Sequence, residues 1–262
     1  MAAVDVLRTE LDGHPAQADE LRYPALVNYG HFTAMQVRGS AVRGLELHLR
    51  RLDAATRELF GTGLDGELVR DRIRHALGED IADATVRVII FQPDPGGRPS
   101  VLVVVRPPAE APGRPQRLQS VVYQRPVPHI KHTGTFGQIH YGLLAERDGF
   151  DDALFTGADG TVSEAAISNI GGYRDQMITW PDAPMLRGIT MQLLERNLPG
   201  AGLRSRHGAV RLSDLGSFEA VFLTNSLGVA PVALVDDHVL PADAGTIATL
   251  AGLYQRSPWH PI

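Results

Sequence analysis

The sequence predicts an α+β protein of two domains, on three observations. The chain has 262 residues, 44% of them apolar, which is enough to bury one or two cores. A patch at 106–117, RPPAEAPGRPQR, carries four prolines. Proline neither continues a helix nor donates to a sheet ladder, so the patch is an extended linker. Helical and strand periodicities mix before it, whereas short strands dominate after it. The expected division is a smaller N-terminal α/β domain over 1–107, a linker over 108–116 and a strand-rich C-terminal domain over 117–262.

Each element has its own signal. Residues 25–37 read as a strand ended by the turn Arg38-Gly39-Ser40. Apolar residues at 45, 49, 52, 55 and 59 mark one face of a helix over 45–60, and a second helix covers 64–77. The β-branched runs 86–91 (VRVIIF) and 101–105 (VLVVV) flank Asp94-Pro95-Gly96-Gly97, which makes them a hairpin. Past the linker come a strand at 118–123, a polar stretch around Lys131 and a helix over 138–147. Short strands follow at 153–156, 162–170 and 177–180. A helix over 188–197 comes after the prolines at 181 and 184, and strands at 220–224 and 229–234 complete the series.

Composition narrows the function. Charged residues are 21% and the net charge is −5, so no basic field exists for nucleic acid or an anionic membrane, and a small-molecule partner is expected. No run approaches the ~18 apolar residues of a membrane span, and the start MAAVDVLRTELDG lacks the pattern of a secretion signal; a cytoplasmic location is expected. Without Cys there is no disulfide, thiolate metal site or Cys nucleophile. Of the 10 His, only His129-x-x-His132 forms a tight pair, with no carboxylate at ligand spacing, so no metal is expected. Walker A, GxGxxG and GxSxG patterns are missing. Among 25 basic residues a single one is Lys, Lys131. Where charge alone matters Arg replaces Lys freely, so Lys131 is either a leftover or an amine kept for chemistry that a guanidinium cannot perform.

Six ordered pieces bear on that choice: His48-Leu-Arg-Arg-Leu at 48–52, His-Ile-Lys-His-Thr-Gly-Thr-Phe at 129–136, Gly-Phe-Asp-Asp-Ala-Leu-Phe at 149–155, Asp-Gly-Thr-Val-Ser-Glu-Ala-Ala-Ile-Ser-Asn-Ile at 159–170, Leu-Arg-Gly-Ile-Thr at 186–190, and Phe-Leu-Thr-Asn-Ser at 222–226 leading to Pro231-Val232. Together, over roughly 24–235, the sequence resembles the class IV aminotransferases. These are fold type IV enzymes of pyridoxal phosphate (PLP), among them branched-chain and D-amino acid aminotransferases and aminodeoxychorismate lyase. The resemblance implies two domains with the cofactor at their interface, and a homodimer.

It also implies site residues. Lys131 would form the Schiff base with the cofactor aldehyde and later move a proton. Glu164 would pair with the pyridine nitrogen and keep it protonated. Ile189 and Thr190, opening a helix, would cup the phosphate with backbone N–H groups and a hydroxyl, joined by Arg51 and Ser226. Thr190 as a helix cap, Arg51 packing its stem and His48 as a core histidine are competing readings. Arg87 interrupts an apolar strand, where branched-chain enzymes place an Arg for the substrate carboxylate; an ordinary edge-strand arginine is an equal alternative.

Two positions depart from the family. Phe136 stands where many members have a Tyr whose hydroxyl touches the cofactor ring oxygen, and Tyr141 is the nearby candidate to replace it. Ala34 stands where aminodeoxychorismate lyases carry the second Thr of a pair, although Thr33 is kept and 224–228 (TNSLG) is lyase-like. The expected function is a PLP-dependent aminotransferase acting on an amino donor and an oxo acid. A lyase of the same fold is the alternative. A non-catalytic binding module comes third, since both Lys131 and Glu164 are present.

Overall fold

The computed structural model describes residues 5–262; the first four residues, on which part of the reading against a secretion signal rests, lie outside it. The chain forms two compact units. The first comprises the chain up to Ala109, the five residues Ile130–Gly134 and the C-terminal Pro258–Ile262; the second comprises Glu110–His129 and Thr135–Ser257.

In the first unit the elements are β1 (Arg8–Leu11), β2 (His14–Pro15), α1 (Arg22–Leu26), β3 (Gly30–Arg38), β4 (Ala41–Arg43), α2 (Leu45–Phe60), α3 (Gly66–Leu77), β5 (Ala84–Phe91) and β6 (Ser100–Arg106). The sheet runs β4-β3-β5-β6-β1-β2, with Trp259–Pro261 added beyond β4, and every pairing is antiparallel. The helix α2 has the bounds its periodicity predicts, because Gly44 and Gly61 flank it with φ of 65° and 69°, a left-handed conformation that glycine adopts without a Cβ penalty. The helix α3 starts two residues later than predicted. The Asp65 carboxylate accepts from Glu67 N–H at 2.9 Å and fixes the cap there.

The predicted strand over 25–37 is corrected. Residues 22–26 are a short helix, whose first turn tolerates Pro24, and Asn28 follows with φ of 54°. The strand starts only at Gly30, where a Cβ would lie 2.6 Å from the Ile90 carbonyl oxygen. One face of the sheet carries Met35, Val37, Val86, Val88, Ile90, Val101, Val103 and Val105 against Leu45 and Leu52 of α2 and Val69 and Ile73 of α3. The other face carries Phe32, Ala34 and Arg87 at alternate positions, with Ala34 directly opposite Arg87, as the period of two requires.

The second unit contains β7 (Gln116–Val122), α4 (Phe136–Arg147), β8 (Asp152–Thr156), β9 (Val162–Ala165), β10 (Asn169–Arg174), β11 (Met177–Pro181), α5 (Ile189–Asn197), β12 (Arg204–Gly208), β13 (Ala220–Asn225), β14 (Gly228–Val235), β15 (His238–Val239) and α6 (Ala244–Gln255). Its sheet follows the path β12-β11-β10-β13-β14-β7-β8-β9, with β15 on β14; β11–β12, β14–β7 and β7–β8 are the parallel steps. The single strand predicted over 162–170 is two, because Ala165 N–H turns back to the Ser168 carbonyl at 2.8 Å. The helix α6 has no counterpart in the sequence reading: small and apolar residues surround it on all sides and leave no periodic stripe.

Consecutive glycines at the middle of β10 let aromatic rings close on both faces. A Cβ on Gly171 would lie 2.7 Å from Phe222 and 2.8 Å from Trp180, and one on Gly172 would lie 2.6 Å from Phe218. Trp180 and Phe222 meet edge to face at 5.4 Å, over a core completed by Met191 and Leu194 of α5 and Leu250 and Leu253 of α6. Overpacking of this kind costs about 1–3 kcal/mol. Gly171→Ala is therefore expected to lower stability by about that amount in urea unfolding, and a change within 0.5 kcal/mol, roughly the range of ordinary surface substitutions, would contradict the packing described.

Candidate active site

The site residues fall into two groups, one on each unit. Lys131 belongs to the first. Its strip of chain adds to the free edge of β3, where Phe32 N–H donates to the Lys131 carbonyl at 2.8 Å and Thr133 N–H to the Gly30 carbonyl at 2.9 Å, around an antiparallel bridge between His31 and His132. That register sets Lys131 opposite Phe32. The half-buried side chain brings its Nζ to 5.0 Å from the Phe32 ring centre. Arg87 leans on the same ring, its Cζ 3.6 Å from the centre.

On the helix-covered face, Arg51 donates to the Thr33 hydroxyl, and Thr33 Oγ1 lies 2.7 Å from His48 Nδ1. A guanidinium only donates. The Thr33 hydroxyl can accept this bond and still exchange a second one with His48 Nδ1, as donor or as acceptor. Burial, then the charges of Arg51 and Lys131, hold His48 well below the usual histidine range. His31 is brought down to about 4 by burial and by Arg51. Its Nε2 lies 3.0 Å from Thr56 Oγ1, and the Thr56 hydroxyl itself donates to the Leu52 carbonyl at 2.8 Å; His31 is the donor.

Arg51 and Arg87 are both lowered to about 10, chiefly by burial, and still carry full charge near neutrality. Among the described residues no carboxylate pairs with either, and the Nε of each is buried without a partner. Two desolvated cations without a counter-ion are costly unless an anion arrives from outside. That is the chemistry of a phosphate or carboxylate site, and it fits the phosphate of a PLP-type cofactor and the carboxylate of its substrate.

The second group surrounds Glu164, buried on β9. One carboxylate oxygen accepts from Arg125 Nε at 2.7 Å and the other from Leu186 N–H at 3.2 Å. An ionised carboxylate accepts and never donates, which is the chemistry a protonated ring nitrogen would meet. Asn169 fixes the loop ahead of α5: its side chain donates to the Leu186 carbonyl at 2.6 Å and accepts from Gly188 N–H at 3.1 Å. A Cβ at Gly188 would lie 2.1 Å from that Asn169 oxygen, so only glycine fits. The first-turn N–H groups of Ile189 and Thr190 have no carbonyl within their own helix. The Thr190 hydroxyl donates to the Asn225 carbonyl at 2.5 Å, which ties the start of α5 to the β13–β14 turn holding Ser226. Thr190 does not cap its helix with its side chain; Gly188 is the N-cap.

Arg125, Asn169 and Asn225 are polar residues of the site to which sequence reasoning gave no role of their own, and Thr33, noted there beside Ala34, gains one as the partner of Arg51 and His48. Arg125 carried a weak signal, six residues before Lys131; the others are polar residues in strands whose partners are distant in sequence. Phe136 is 78% exposed at the start of α4 and stacks on His140. Among the described residues no cluster of three or more His, Asp or Glu could hold a metal, and no helix is long and apolar enough to cross a membrane.

The family model of amino-transferase class IV matches residues 30–235. No curated protein matches the chain. Among solved structures, a hypothetical aminotransferase from Mycobacterium tuberculosis in its PLP-bound form is similar with 23% identity and a TM-score of 0.81, covering 94% of each chain. The branched-chain aminotransferase of Thermoproteus uzoniensis, solved with norvaline, has 21% identity and a TM-score of 0.81, over 96% of this chain and 94% of that one. The 4-amino-4-deoxychorismate lyase of Pseudomonas aeruginosa has 24% identity and a TM-score of 0.78, over 92% and 96%.

The buried histidines give a pH prediction. His31 is neutral when folded down to about 4 but takes a proton below 6.5 when unfolded, so the unfolded state binds more protons in that window and stability falls as pH drops through it. The urea midpoint is expected to fall more between pH 7 and 5 in the unaltered protein than in His31→Gln, which keeps a donor for Thr56. An equal fall in both would contradict the neutral state of His31.

Proposed function

The chain belongs to the class IV aminotransferase family, and from that premise we propose that it is a PLP-dependent transaminase whose one lysine, Lys131, holds the cofactor. Class IV enzymes use pyridoxal phosphate. The observation that supports the assignment is the setting of Lys131 in the first unit: an amine fixed to a strand edge at the Phe32 ring, where Arg87, a buried arginine without a carboxylate partner among the described residues, also leans.

When bound, the cofactor supplies an aldehyde for amines and a ring that accepts the electrons released at the substrate Cα. Lys131 supplies the amine that binds that aldehyde covalently. The same amine, when not held by the cofactor, would carry the proton taken from the substrate Cα. Arg51, held at Thr33, binds phosphate; Ile189, Thr190 and Ser226 are assigned a phosphate-binding role by the family resemblance of their motifs. Glu164, held by Arg125, keeps the ring nitrogen protonated. Arg87 binds the substrate carboxylate, flat against Phe32. The substrates are an amino donor and an oxo acid, and the proposed assembly is a homodimer.

Lyase chemistry is the second reading, supported by similarity to aminodeoxychorismate lyases. Ala34 speaks against it: its methyl group, opposite Arg87, has no proton to give or take. A half-reaction screen separates the two. The transaminase reading expects loaded protein mixed with an amino acid to yield pyridoxamine phosphate and the matching oxo acid. Pyruvate from aminodeoxychorismate, with no pyridoxamine phosphate from any amino acid, would overturn it.

A further inference from the structure

Position 136 lacks a hydroxyl, and the second unit offers one a short distance away. Tyr123 continues the β7 ladder, its N–H donating to the Thr156 carbonyl at 3.1 Å, and its side chain reaches the first turn of α4. A Cβ on Gly137 would lie 2.2 Å from the Tyr123 hydroxyl oxygen. Gly137, next to Phe136, is therefore the residue that lets a phenol stand at this helix start. The ring is fixed by Tyr141 at 5.1 Å and by Phe155, edge to face, at 4.8 Å. Tyr141 is the poorer candidate, since its ring is packed among Tyr123, Phe155 and His140.

We propose that Tyr123 is a cofactor-contacting residue, its hydroxyl donating a hydrogen bond to the ring oxygen of PLP in place of the phenol absent at Phe136. The proposal rests on the assignment of Glu164 to the ring nitrogen. The ring oxygen is carried two atoms away from that nitrogen, so a donor close to Glu164 is within range of both. Tyr123 meets this condition, because it stands two residues before Arg125, whose Nε donates to the Glu164 carboxylate at 2.7 Å. Burial and the neighbouring Tyr141 and Glu164 raise its pKa, which keeps the phenol protonated and a donor. The other titratable side chains facing α4 here are His140, which contacts Tyr141, and Asp152, raised to about 7 chiefly by burial and standing against Gly142 further along the helix.

A donor on the ring oxygen draws away the charge that would otherwise hold the proton of the nitrogen linking Lys131 to the cofactor, and so lowers the pH at which the colour of the loaded protein changes. In Tyr123→Phe, which keeps the ring packing, that midpoint is expected to rise by about one pH unit, of the order of a hydrogen bond to a charged group. Tyr141→Phe leaves the midpoint in place, and adding Phe136→Tyr to Tyr123→Phe brings it back down. A midpoint in Tyr123→Phe equal to that of the unaltered loaded protein overturns the role of Tyr123 while leaving the cofactor reading intact. A midpoint that moves in Tyr141→Phe alone assigns the hydroxyl to Tyr141 and also overturns it. Failure of the unaltered protein to take up PLP at all would defeat both proposals.

Discussion

Two backbone hydrogen bonds decide where the only side-chain amine of this protein stands. They run from Phe32 N–H to the Lys131 carbonyl and from Thr133 N–H to the Gly30 carbonyl, and they make the five residues Ile130–Gly134 part of the first unit while the chain on either side belongs to the second. Each is worth only about 1 kcal/mol net, but together they fix a register. A slip of one residue would turn the lysine to the opposite face of the strand. Gly30 makes the pairing possible on the other side as well, since any Cβ there would strike the β5 backbone. The position of the amine thus depends on a closely packed sheet rather than on a loop.

The first unit buries two arginines, Arg51 and Arg87, whose Nε atoms have no partner among the described residues. Arg51, Arg87 and Lys131 are cations, and His31 and His48 are kept neutral by burial near them. Arg51 meets the Thr33 hydroxyl, which lies against His48, Arg87 leans on the Phe32 ring, and among the described residues neither arginine pairs with a carboxylate. Such an arrangement is poorly stabilised by itself and well suited to an anion. In the second unit the logic is reversed. The Glu164 charge is paired with Arg125 and the Leu186 N–H, and the loop before α5 is held by the Asn169 side chain.

The sequence made the regular parts of this fold legible where local chemistry and tertiary structure agree. The helix α2 could be read to the residue because glycines punctuate both ends, and the β5–β6 hairpin because its β-branched runs flank a strong turn. The segment 22–29 misled because Pro24 and apolar neighbours suit an extended strand as well as a one-turn helix. The helix α6 was invisible because its small residues carry no period. At the site, the family-like motifs singled out Lys131, Glu164 and Thr190, each embedded in a contiguous stretch. The Arg125–Glu164 pair, 39 positions apart, and the Thr33–His48 link exist only once strands are paired, and no local pattern announces them.

The central claim is that Lys131 is the residue that binds the cofactor, and not merely a cation that happens to be a lysine. Lys131→Arg tests it most directly, because it preserves the charge, removes the only side-chain amine in the protein, and leaves the backbone pairing with β3 untouched. After incubation with PLP and removal of the free cofactor, the unaltered protein is expected to retain a visible absorbance band that borohydride reduction fixes to residue 131. The variant should fold with the same circular dichroism and show no such band and no covalent label. A variant that still acquires the band and the label would contradict the account.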